Sequence, residues 1–559
     1  MRNLKKSIVV LILLFVLVSG NLAAAGKVNY KALAKKVDAL FAPYDRTDSP
    51  GAAVLIMKGG KVLYQRGYGM ANLEYDIPIT PATVFHIASD SKQFTAFAIL
   101  LLAAEGKLAL DDDIHLYLPR IPDFGKKITI RNLLNHTSGL RDQWELLIMA
   151  GWRMDDVITQ DQILRLVEGQ KELNFNPGTE YLYSNTNYTL LAEIVAKVSG
   201  QSFTEFTQKR IFEPLGMNRT HFHDDYTKIV KNMAYSYAPV GAGFQKCVLS
   251  YATVGATSLF TTTQDLAQWI DNFEHPRVGD AAIMTEMQTP GKLNNGVPIN
   301  YACGLLTGYY NGLKYIWHDG ADAGYRSAIY RFPKQHFAVA ILSNAATLSP
   351  NQLAVQIADL YLNHVSPNIP PAAPPKQHRE VAADPEAYSQ YIGRYQLQPG
   401  FIITVSKEKD HLMTQATGQD KFEIYPEGKD AFFAKIAEIQ VIFVRDGAGM
   451  VTGLRVLQSG QDFPAPRMDE PILTEAQLAE YCGQYYSEEL ATTYRFSLKD
   501  GQLIVQHLRL GELPLEPVKT DRLICLGINL FFQRDPQNRV TGFLVSSGRV
   551  RNLRFDKVN

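Results

Sequence analysis

At 559 residues the chain is too long for one ordinary domain, and at about 150 residues per domain it should hold three or four. Hydrophobic residues make up 46% and charged residues 20%, enough apolar surface for packed cores and well outside the disordered regime. Lys plus Arg and Asp plus Glu both total 56 and no long run carries one sign, which excludes a nucleic-acid groove or polybasic membrane patch as the main business and leaves a small molecule or short peptide as partner.

Residues 1–25 read as an export signal. Arg2, Lys5 and Lys6 precede the apolar run 8–18, and Ala23, Ala24 and Ala25 offer small residues for cleavage before Gly26. A periplasmic or secreted protein is therefore expected, with no membrane association beyond export. An uncleaved anchor is the competing reading, because residues 7–25 carry no charge.

From about 27 to 364, strands and helices alternate. Residues 52–58 and 61–69, joined at Gly59 and Gly60, read as a β-hairpin. Helices are expected at 187–198, ended by Gly200, and at 264–273, entered through threonines. Two more strands follow at 325–332 and 337–344. Strands at both ends with helices between predict one sheet built from distant chain parts beside a helical region, with a cleft between them. His221 and His223, followed by Asp224 and Asp225, come nearest to a metal cluster but read as a solvated turn, so no metal site is expected.

The proline-rich stretch 366–375 reads as a stiff linker, within a boundary region of 365–385. Beyond it, Tyr391-Ile392-Gly393-Arg394-Tyr395 recurs as Tyr481-Cys482-Gly483-Gln484-Tyr485, and Phe443-Val444-Arg445-Asp446 as Phe532-Gln533-Arg534-Asp535, at offsets of 90 and 89 residues. Such a repeat predicts two related modules, 386–470 and 471–559, each a small β-barrel or sandwich. Cys247, Cys303, Cys482 and Cys525 are too sparse for a disulfide scaffold. If an oxidising compartment forms one bridge, Cys482 with Cys525 is the pair to expect; four unpaired, mostly buried thiols are the alternative.

Ser89-Asp90-Ser91-Lys92 opens a segment, 93–102, that is apolar nearly all round and reads as a buried helix. Ser89 then has free backbone N–H groups and the positive helix end beside it. Lys92, at i+3, lies on the same face, and apolar neighbours would ease loss of its proton. Ser406 and Lys409 share the spacing, but in a β segment with no helix to follow. Tyr183-Ser184-Asn185 sits between the Pro177-Gly178 turn and a helix, where a phenol and an amide can face a cleft. His318-Asp319-Gly320 leads toward the strand near Tyr325, and Gly320 there lets a substrate backbone or an oxyanion come close. His136 and Ser138 read as turn and packing residues.

In this order and setting, over residues 30–364, the three motifs resemble those of the penicillin-recognising serine hydrolases: class C β-lactamases, D,D-carboxypeptidases, D-aminopeptidases and related esterases. The resemblance implies an α/β (α+β) β-lactamase/transpeptidase-like domain with an antiparallel sheet and a helical region, followed by two all-β modules of barrel or lipocalin type. It implies an acyl-enzyme mechanism without metal or cofactor. Ser89 would be the acylated nucleophile, Lys92 the amine that activates it and Tyr183 the phenol that passes a proton to the leaving group. Asn185 would hold the substrate's acyl-side amide, and the backbone N–H groups of Ser89 and Ala321, beside Gly320, would form the oxyanion hole. His318 stands where many members keep a lysine. A fixed positive charge for a substrate carboxylate is thereby lost, and the site should respond to pH near 6 or 7. The expected activity is hydrolysis of small amides or peptides. The alternatives are a carboxylesterase or β-lactamase on the same scaffold, or a binding protein without turnover. Oligomeric state stays open. In some relatives a loop from an appended barrel limits access to the cleft.

Overall fold

The computed structural model describes residues 29–362, 378–398, 401–416, 421–436, 439–458, 461–468 and 473–558. The expected export signal and the proline-rich stretch lie outside the described residues.

The elements that frame the site are α1 (Tyr30–Phe41), β1 (Ala52–Lys58), β2 (Lys61–Tyr68), α2 (Lys92–Ala104), α3 (Gln143–Met149), α4 (Asn185–Ser199), β3 (Leu306–Tyr310), β4 (Leu313–Asp322), β5 (Tyr325–Phe332), β6 (Phe337–Ser343) and α5 (Pro350–Leu362). Six of them make one antiparallel sheet in the order β3-β4-β5-β6-β1-β2. The N-terminal hairpin thus closes onto the last strand of the domain, Ala52 opposite Ser343. Its turn needs two residues at positive φ, and Gly59 and Gly60 supply them at +55° and +70°.

Central strands buried on both faces read as continuous apolar runs, and β1 is one. Ala52, Val54 and Ile56 point to a core shared with Val37 and Phe41 of α1 and Ile357 and Tyr361 of α5. Ala53, Leu55 and Met57 point the other way, into the larger core of the helical region. There α2 is buried along its first three turns, which is why its sequence is apolar on every side. Helix α4 begins two residues earlier than its periodicity suggests, so Asn185 falls in its first turn, and Gly200 ends it at φ +70°.

The first β module is a closed barrel of eight strands, and the second a sheet of nine whose order ends on Gly511–Pro514 and Glu516–Lys519. Their kinship extends to side chains. Tyr395 donates to the Tyr391 carbonyl at 2.7 Å and Tyr485 to that of Tyr481 at 2.8 Å. Arg445 pairs with Asp430 and Arg534 with Asp521, both at 2.9 Å.

The modules differ also in what they contact. Leu146 and Met149 of α3 belong to the second module's apolar core, and Tyr494 donates to the Met149 carbonyl at 2.7 Å. Fully buried Arg141 pairs with Glu489 and donates to the Arg551 carbonyl at 2.9 Å. The first module meets the second instead, through Arg394 on the Pro517 carbonyl at 2.8 Å and Ile402 against Val518 and Ile524.

Of the two cysteine readings the structure has the unpaired one: all four are free, Cys525 being buried in the second module's core, and Cys482 and Cys525 form no bridge. One expectation is corrected. His221 and His223 are not a solvated turn: both rings pack on Phe260, at 5.7 and 4.8 Å, and burial pulls His221 down to about 4.

Candidate active site

Ser89 lies in a 3₁₀ turn, Ala88–Ser91, that runs directly into α2. Residues i and i+3 of such a turn eclipse one another, a closer stacking than an α-helix gives. Lys92 Nζ accordingly sits 3.0 Å from Ser89 Oγ. Ala88, just before the nucleophile position, is held at φ +46°, which costs energy for a residue with a Cβ and so requires support. The neighbours provide it. Ser327 Oγ of β5 lies 2.6 Å from an Asp90 carboxyl oxygen and 2.9 Å from the Ile87 carbonyl. Ser91 Oγ donates to the Ala88 carbonyl at 2.5 Å and accepts from the Leu259 N–H at 3.0 Å. Gly320 completes the packing, because a Cβ there would stand 2.2 Å from the Ile87 carbonyl. What its missing side chain makes room for is the nucleophile turn itself.

Lys92 is fully buried, and burial pulls its ammonium down to about 7 against the opposing charges of Asp322 and Asp142. Besides Ser89 it has two partners, Asn185 Oδ1 at 2.8 Å and the Ala256 carbonyl at 2.6 Å. Both of these atoms only accept. When neutral, the amine gives them its two N–H bonds and its lone pair is left facing Ser89 Oγ. The orientation of the Asn185 amide follows from its other end, since Nδ2 and the backbone N–H both donate to Asp142 Oδ2, at 2.8 and 2.7 Å. Asp142 in turn caps α3, accepting from the Trp144 and Glu145 N–H groups at 3.0 and 3.4 Å. Asn185 therefore has both ends of its amide engaged within the protein, tying Lys92 to α3.

The Tyr183 ring lies 5.0 Å from Lys92 Nζ. Burial pushes its phenol well above the usual range, with Ser89 the foremost group pulling the other way, although their contact falls short of ordinary hydrogen-bond geometry. Tyr183 is thus a neutral acid beside the nucleophile, not a phenolate base. His136 packs against its ring at 4.2 Å and accepts the Ser184 N–H at 3.1 Å.

His318 lies ahead of the strand at Tyr325, as expected, but inside a strand of its own that the sequence did not reveal, β4, paired with Ile329 of β5. Its Nδ1 donates to the Asp319 carbonyl at 2.7 Å, which places a proton on that nitrogen, and its Nε2 lies 3.1 Å from the Tyr301 hydroxyl. Burial, then Lys92, pulls it down to about 4. The expected response of His318 near pH 6 or 7 is therefore corrected: the group that titrates there is Lys92.

Ser89, Tyr183, Asn185, His318, Gly320 and Ala321 line one cleft of about 430 Å³, with Lys92 beneath it. Trp144, Thr257, Asp322 and Arg549 also line it, and sequence reasoning missed them. For Asp142 a signal existed, since an aspartate before the helix at Gln143 reads as a cap. For Arg549 there was none, because it arrives from the second β module, on the turn before Leu553–Val558. Its guanidinium carbon stands 4.9 Å from the Tyr183 ring centre.

A family model described as Beta-lactamase matches residues 37–362, and one described as Domain of unknown function (DUF3471) matches residues 377–465. The chain is 29% identical to penicillin-binding protein 4* of Bacillus subtilis (strain 168), over 73% of this chain and 93% of that protein. It is 30% identical to a D-aminopeptidase of Gluconobacter oxydans (strain 621H), over 54% of this chain and 56% of that protein. Among solved structures, the octameric penicillin-binding protein homologue from Pyrococcus abyssi shares the fold with a TM-score of 0.55 and 24% identity, covering 86% of this chain and 99% of the other.

Proposed function

This chain belongs to the β-lactamase family and is a serine hydrolase of that fold, and on that footing we propose that it is exported and cleaves small amides or peptides of D-amino acids through an acyl-enzyme on Ser89. The observation that carries the chemistry is the fully buried Lys92 Nζ, 3.0 Å from Ser89 Oγ, where burial lowers the cost of losing its proton. As Oγ attacks the substrate carbonyl carbon, its proton passes to Lys92 Nζ. The N–H groups of Ser89 and Ala321 receive the oxyanion, a contribution of about 3 to 4 kcal/mol for each donor. Collapse of the tetrahedral species breaks the C–N bond, and the proton reaches the leaving nitrogen by way of the Tyr183 phenol. Water then attacks the ester on Ser89 with Lys92 again as base, releasing the acid and restoring the hydroxyl.

Support for D-amino-acid substrates comes from the D-aminopeptidase relatives, and for export from the basic, apolar and small-residue order of residues 1–25. The test is a panel of D- and L-amino-acid p-nitroanilides, short acyl esters and a chromogenic cephalosporin. The D-anilides should give the highest kcat/KM. Turnover of esters or the cephalosporin with no amide cleavage would overturn the substrate reading.

A further inference from the structure

The hydrolase reading leaves the one arginine that lines the cleft without a task. The backbone of Arg549 is held on several sides by the catalytic domain. Its N–H donates to Glu145 at 2.8 Å, and its carbonyl accepts from Asn174 Nδ2 at 2.9 Å and from the Asp142 N–H at 3.3 Å. Ser547 on the same turn also bonds Glu145, and the Arg551 N–H donates to Asn174 Oδ1 at 2.8 Å. So firm a mount fixes where the side chain emerges, yet the side chain itself is 42% exposed. Its nearest carboxylate oxygen, Asp142 Oδ2, is 3.7 Å away and already accepts two bonds from Asn185.

Arg549 is also the one lysine or arginine among the residues that line the cleft. The two aspartates there are engaged elsewhere: Asp322 bonds Thr257 and His86, and Asp319 accepts from Asn351 at 2.8 Å. His318 is neutral, its ring bonded to Tyr301 and to the Asp319 carbonyl. A planar guanidinium with open N–H groups in such a setting matches a carboxylate, which it can take two-handed. Its place beside Tyr183, the acid of the leaving-group step, puts that carboxylate on the leaving side of the scissile bond.

We infer that Arg549 is a carboxylate anchor supplied to the catalytic cleft by the second β module, so that the preferred substrates release a C-terminal residue bearing a free α-carboxylate. The inference rests on the acyl-enzyme reading for which bond is cut, but not for what binds. Arg549 does here what the site loses by carrying His318.

The test uses the full chain and a matched pair, N-acetyl-D-alanyl-D-alanine and its C-terminal amide. Wild type should favour the free acid in kcat/KM by at least about tenfold, the scale of a hydrogen bond to a charged group. In Arg549→Gln the ratio should fall to within about twofold, and Arg549→Lys should keep part of it; both variants retain the backbone bonds that hold the turn. An equal ratio in wild type and Arg549→Gln would overturn the inference while leaving the hydrolase intact. Calorimetric binding of the same two ligands to Ser89→Ala, with and without Arg549→Gln, needs no turnover. Arg549-dependent selectivity in binding, with no amide cleavage by wild type, would overturn the substrate reading and uphold the anchor. Equal binding of acid and amide would count against the anchor.

Discussion

The two β modules descend from one repeat and share their buried tyrosine corner and Arg–Asp pair, yet they stand in opposite relation to the catalytic cleft. The first closes into a barrel around its own core, and none of the residues lining the cleft belongs to it. The second takes Leu146 and Met149 of α3 into its core, buries Arg141 against Glu489 and delivers Arg549 beside Tyr183. What the repeat preserves is therefore the framework of the fold. What differs is the closure of the sheet, together with turns and one buried ion pair through which the second module joins the catalytic domain.

The largest expected effect probes that ion pair. Glu489→Ala leaves the Arg141 guanidinium buried without its charge partner, and calorimetry of the full chain should show a loss of about 3 to 5 kcal/mol. The same variant should lower kcat/KM, because Arg141 also holds the Arg551 carbonyl near the cleft. Asp430→Ala, which breaks the largely buried pair inside the first module, should leave kcat/KM within about twofold of wild type. Equal catalytic damage from both would erase the distinction between the modules.

A smaller effect concerns pH. The Lys92 amine accepts a proton only when neutral, so kcat/KM should fall below a midpoint near 7 as the amine becomes charged. Among the charged groups acting on it, Asp322 and Asp142 favour the ammonium and Arg549 opposes it. Removing the negative charge in Asp322→Asn should move the acid limb to lower pH, by up to about one unit. Arg549→Gln should move it the other way and by less, which would show the second module reaching the base electrostatically. Limbs that shift in the same direction would contradict the assignment of the titrating group to Lys92. The smallest effect is expected from Arg394→Ala, where the modules touch only one another: kcat/KM should stay unchanged as measured on the preferred substrate.

Much of this arrangement was legible in the sequence because it is local. The three-residue spacing of Ser89 and Lys92 sets their contact, and Asn185 follows Tyr183 closely enough for one helix start to place both. Four strands of the sheet were legible, β1 and β6 as continuous apolar runs and β2 through the Gly59-Gly60 turn, whereas β3 and β4 were not. The rest depends on distant partners. Lys92 is oriented by a carbonyl 164 residues away, and a carbonyl carries no side-chain identity to read. Asp319 and Gly320 are poor strand formers, and β4 was not anticipated as a strand; pairing with β5 overrides that preference. His318 invited a titration near neutral pH, and only its burial beside Tyr301 and Lys92 reveals a neutral ring. Arg549 reads as one more loop arginine until the module is docked.

Everything turns on Ser89 being the atom acylated. Full-length protein treated with a fluorophosphonate should gain one adduct, and peptide mapping by mass spectrometry should place it on Ser89, with labelling lost in Lys92→Ala as the hydroxyl loses its base. An adduct on another serine, or undiminished labelling of Ser89 without Lys92, would contradict the mechanism.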